Sequence, residues 1–97
     1  MKVLLAASLL LAAGCGYGEV SPAAYDFATA LYSISNVRAG DRLNEVSGMI
    51  ETARTSGKLT EKEATWLSEI VSDARSGDWE TAAKKSRRIV ADQVKTP

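Results

Sequence analysis

The chain has no histidine, one cysteine and two prolines. Without histidine, the usual general base, proton shuttle and metal ligand are all missing. With Cys15 alone, no disulfide can form within the chain, so nothing covalent staples a fold of this size. No segment after the first fifteen residues alternates apolar and polar residues over a useful length, which argues against half-buried strands. Nor does one sign of charge dominate: twelve Lys and Arg balance twelve Asp and Glu. A bulk polyanion such as nucleic acid is therefore not an expected partner. What is present is 97 residues, 45% hydrophobic and 25% charged, the composition of at most one globular domain.

The first fifteen residues read differently from the rest. Met1 and the single charge of Lys2 precede an apolar run from Val3, which closes on the small residues Ala12, Ala13 and Gly14 before Cys15. That order is the order of a secretory signal peptide. The run is well short of the ~20 residues that span a bilayer core. It is apolar on every face, so it also makes a poor first helix for a soluble core.

Its end, Leu11-Ala12-Ala13-Gly14-Cys15, resembles the lipobox of bacterial lipoproteins, with Ala12 where the commonest pattern has leucine. The resemblance implies cleavage between Gly14 and Cys15, diacylglycerol on the Cys15 thiol and a further acyl chain, such as palmitate, on the new amine. These acyl groups would be the only non-protein groups, with no other cofactor and no metal. Each buried CH₂ contributes ~0.8 kcal/mol, so two or three chains hold firmly where one holds marginally. Cys15 would then be an anchor on the extracytoplasmic side of the cell envelope, neither nucleophile nor ligand. Gly16 stands where an aspartate would favour inner-membrane retention, which implies the outer membrane in a Gram-negative cell. The expected organisation is a signal peptide at 1–14, a lipidated N-terminus and tether at 15–21, and a domain at 22–97. A free tether of this length would reach ~20 Å at ~3.4 Å per residue.

The rest is punctuated for helices. Ser21-Pro22 reads as an N-cap followed by Pro at the first helical position. Ala24, Phe27, Ala28, Leu31 and Ile34 then recur at helical spacing, and Leu43, Val46, Ile50 and Ala53 form a second stripe. Ile34 and Leu43 are nine residues apart, half a turn out of phase at ~100° per residue. A break near 36–41, which Gly40 suits, lets both stripes face one core. Gly57 reads as the end of the second helix. Thr60-Glu61-Lys62-Glu63 matches a capping box for a third helix, with Ala64, Leu67, Ile70, Val71 and Ala74 on its inner face. Gly77 closes it, and Asp78 caps a fourth helix with Trp79, Ala82, Ala83, Ile89 and Val90. The expected fold is all-α, a small antiparallel bundle of about four helices with short turns.

From about Asn36 to Val94 the pattern resembles the helical domain of the steroid receptor RNA activator protein and the C-terminal domain of the COPII outer-coat scaffold subunit. The residues that carry it are "GKLT" at 57–60, "WLSEIV" at 66–71, "GDWETA" at 77–82 and "RRIVADQV" at 87–94. The resemblance implies a helical bundle used for protein contacts. It transfers no pathway.

No set of residues points to catalysis. Lys85-Ser86 offers a serine beside a lysine, but Ser86 lies on the apolar stripe, where a small residue serves helix packing. Glu61 and Glu63 sit in a first helical turn, where the dipole and capping box account for them. Trp66 and Trp79 read as packing residues at helix edges and junctions, and Tyr25 and Tyr32 as the edge of a core. The expectation is a non-enzymatic module with an envelope protein as partner, self-association being open. The strongest remaining feature is Lys84, Lys85, Arg87 and Arg88. Residues 81–97 hold five basic residues and one acidic, whereas 15–80 hold six basic and eleven acidic. A cationic last helix suits the macrodipole. It also suits contact with an anionic surface such as lipid headgroups or cell-wall polymer.

Overall fold

The computed structural model describes residues 17–93. The expected signal peptide, Gly14 and Cys15 lie outside the described residues, as do positions 94–97. Among the described residues there are four helices: α1 (Pro22–Val37), α2 (Gly40–Thr55), α3 (Glu61–Arg75) and α4 (Trp79–Gln93). The all-α expectation holds. None of these helices is long and apolar enough to cross a membrane.

Polar contacts between helix ends fix the directions. The start of α1 meets the start of α3 through Ser21 and Glu63, and meets the end of α4 through Val20 and Gln93. The end of α2 reaches the start of α3 through Arg54 and Glu61, and the end of α3 returns to the start of α2 through Arg75 and Asn44. Successive helices therefore run up and down. α1 and α3 each touch all three other helices, whereas α2 and α4 do not meet. α1 and α3 thus form the short diagonal of the bundle.

The stripes supply the core. Leu43, Val46, Ile50 and Ala53 are the buried residues of α2, and Ala64, Leu67, Ile70, Val71 and Ala74 are buried in α3. Leu31, Ile34, Leu67, Ile70 and Ile89 are the largest apolar side chains fully enclosed. Removing such a side chain costs about 2–5 kcal/mol through lost burial and the cavity left behind. Phe27, Trp79 and Val90 are only partly buried and pack on the rim. Ser86 is fully enclosed, and its hydroxyl donates to the Ala82 carbonyl at 2.7 Å. That bond lets α4 pack closely without stranding a polar atom.

The helix ends reuse one device. After α2, the Lys58 amide donates to the Ala53 carbonyl and that of Gly57 to Arg54; after α3, Asp78 donates to Asp73 and Gly77 to Ala74. Both are Schellman closures, with Gly57 and Gly77 at φ +82 and +91. The similar "GKL" and "GDW" segments are thus one turn chemistry used twice. α1 ends the same way, with Ala39 donating to Ile34 and Arg38 to Ser35. The break expected near 36–41 is present, at Arg38 and Ala39, and Gly40 is not the residue that makes it. Arg38 takes the left-handed conformation, at φ 53, and Gly40 is already the first residue of α2.

The tether expected at 15–21 is also shorter than the sequence implied. Tyr17, Gly18, Val20 and Ser21 all make hydrogen bonds to α3 or α4. The segment is a strap on the bundle, not a spacer, from Tyr17 onward.

Candidate functional site: a basic groove under the N-terminal strap

The strap is held at its start and at its end. At its end, the Ser21 amide and hydroxyl donate to the two carboxylate oxygens of Glu63, at 2.8 and 2.9 Å. Glu63 also accepts from the Thr60 amide at 3.1 Å, while its own amide donates to the Thr60 hydroxyl at 3.0 Å. The capping box read in the sequence is present, and the same carboxylate closes α1. Burial pushes the Glu63 carboxyl up, but the hydrogen bonds from Ser21 and Thr60 outweigh it and leave it below the usual carboxylate range.

At the start of the strap, the amides of Tyr17 and Gly18 both donate to Oδ2 of Asp92, at 2.8 and 3.3 Å. Gln93 closes a further ring: its Oε1 accepts from the Val20 amide, and its Nε2 donates to the Gly18 carbonyl. The Tyr17 ring meets Trp66 edge to face, with centroids 4.9 Å apart and planes at 76°. Burial raises the Tyr17 phenol above its ordinary pKa.

Tyr17 of the strap lines an open groove of about 1050 Å³ between α3 and α4. Lys62 and Trp66 stand on the α3 side, and Lys84, Lys85, Arg87 and Arg88 on the α4 side. All four basic residues singled out in the sequence therefore line one groove. They do not all remain free: Lys85 Nζ lies 2.9 Å from Asp73 Oδ2. The hydrogen bond to Asp73 holds the Lys85 ammonium above its usual pKa. Lys62 Nζ sits 5.7 Å from the centre of the Trp66 ring, within cation–π range. Lys84, Arg87 and Arg88 make no ion pair among the described residues. The one acidic residue of the lining, Asp92, is occupied by the strap amides.

Sequence reasoning missed Tyr17, Lys62, Trp66 and Asp92 as members of this site. Tyr17 had a readable signal, an aromatic set between two glycines in a segment otherwise read as spacer. Lys62 and Trp66 are four residues apart, one helical turn, which places them on one flank. Asp92 had none, because its role is to bind amides seventy-five positions away in the chain.

A second recess, of about 300 Å³, lies beside α3 and is lined by Arg54, Thr65, Ser68, Glu69 and Ser72. Its one cation is already held by Glu51 and Glu61. Among the described residues, no group of three His, Cys, Asp or Glu is placed to hold a metal ion. The groove can attract and orient anions, and it presents two amphipathic rings beside them. Comparison with protein-family models, curated proteins and solved structures finds no match to this chain.

Proposed function

We propose that the chain is a bacterial lipoprotein, held in the cell envelope by acyl chains on Cys15, whose small helical bundle is a non-catalytic binding or scaffold module. The observation that carries this reading is the Leu11-Ala12-Ala13-Gly14-Cys15 context at the end of a short apolar run. A bundle whose strap is docked from Tyr17 supports it, because the domain then starts directly behind the anchor. Exposed Val37 and Met49 give the module apolar points of contact for an envelope protein. Replacing Cys15 with Ser tests the anchor. The variant should leave the membrane fraction and lose acyl labelling, and retention in the membrane would refute the reading.

The basic groove favours a second role alongside the first, contact with cell-wall polymer or anionic lipid. Pelleting with purified wall material tests the polymer version. Loss of pelleting when Lys84, Lys85, Arg87 and Arg88 become Gln supports it, and pelleting without charge dependence excludes it.

A further inference from the structure

We propose that the groove between α3 and α4 is the face on which the anchored bundle lies against its own membrane, taking the phosphates of anionic phospholipid headgroups. The proposal rests on the lipoprotein reading for its geometry. Two virtual bonds separate Cys15 from Tyr17, so their Cα atoms are at most about 7.6 Å apart. Tyr17 is no leash: its amide is bound by Asp92 and its ring by Trp66. Acyl chains leaving at Cys15 therefore enter the bilayer within about a nanometre of the groove, and the strap dictates which face borders the headgroups.

That face has the chemistry of a headgroup contact. Arg87 and Arg88 are exposed and unpaired among the described residues. Their planar forks match phosphate oxygens. Lys84 and Lys62 add charge at the rim. Each Lys or Arg near an anionic leaflet contributes to attraction that fades within a Debye length, about 8 Å at physiological salt, so only residues on the face that borders the headgroups profit. Tyr17 and Trp66 suit the same depth, where amphipathic rings settle between hydrocarbon and water. The far side is unlike it. α2 does not touch α4, and it exposes Asp41, Glu45 and Glu51 along with Arg42 and Met49. The groove thus gathers Lys62, Lys84, Lys85, Arg87 and Arg88 on one face, with Asp92 as its one acidic lining residue and α2 away from it.

The test uses the full chain in bacterial membranes. A photoreactive diazirine residue is placed at Ala91, which is exposed and lines the groove, or at Met49 on α2. After illumination, adducts are identified by mass. The expected result is phospholipid adducts at position 91, several-fold above those at position 49. They should fall several-fold when Lys84, Arg87 and Arg88 become Gln, and return when the arginines become Lys and Lys84 becomes Arg. Equal lipid yields at the two positions, insensitivity to the Gln changes, or glycan or protein adducts in place of lipid at 91 would overturn the proposal. Palmitate labelling of the same samples separates the two readings. A labelled chain without groove adducts refutes the groove and leaves the anchor. An unlabelled chain with them refutes the anchor, and the groove stands on its charge; with neither, both fall.

Discussion

The carboxylate of Glu63 closes two helices at once: it accepts from the backbone and hydroxyl of Ser21 at the start of α1 and from Thr60 at the start of α3. Both macrodipoles favour a negative charge there. Because α1 and α3 form the diagonal of the bundle, this side chain sets how the two begin side by side.

Glu63→Ala should therefore cost more than a lost capping box. Charge-assisted hydrogen bonds and a cap together put the loss at about 2–4 kcal/mol. Glu63→Gln should fall between the variant and the parent. Glu61→Ala, at an exposed neighbour, should barely move the urea midpoint, which is the measurement that separates the three.

Glu63 also fixes an acid limb of the stability curve. Its folded pKa is lowered, so the folded state holds the proton less tightly than the unfolded chain. The stabilisation is complete above the unfolded value of about 4.3 and is lost as pH falls through the lower folded value. Urea midpoints measured from pH 7 down to pH 3 should drop through that window. In Glu63→Gln this part of the drop should be absent.

The strap gives a separate prediction. Asp92→Ala removes the acceptor of the Tyr17 and Gly18 amides. Those amides should lose hydrogen-exchange protection, and Trp66 emission should shift red as Tyr17 leaves its edge. The global cost should be about 1 kcal/mol, since none of the apolar core residues lies in the strap.

Much of this fold was legible because helices announce themselves locally. Ser21-Pro22, Thr60 with Glu63, and Gly57 and Gly77 mark ends by chemistry that needs only near neighbours, and the α2 and α3 stripes matched the apolar residues of their buried faces, α3 burying Glu63 besides. Arg38 was not legible. It takes the left-handed place that Gly57 and Gly77 fill at the ends of α2 and α3, and nothing in an arginine side chain announces that. The groove was half legible: four cations within five positions of α4 stand out, whereas their setting depends on Tyr17 and Asp92 meeting across the chain.

Three local mismatches mark places where the bundle is below its best stability. Arg38→Gly relieves the left-handed strain at φ 53. Gly48→Ala adds a methyl with nothing within 4 Å to meet it, inside a helix. Ser35→Ala removes a buried hydroxyl that has no hydrogen-bond partner among the described residues. Each should raise stability by about 0.5–1 kcal/mol in thermal melts; because the Arg38 amide donates to the Ser35 carbonyl, the gains at those two positions should depart from additivity when combined.

The central claim is the anchor, and the most direct measurement is the mass of the N-terminal peptide of the mature chain isolated from membranes. The account predicts a peptide that starts at Cys15, carrying diacylglycerol on sulfur and an acyl chain on the amine. A peptide that starts anywhere else, or a Cys15 with a free thiol, would contradict it.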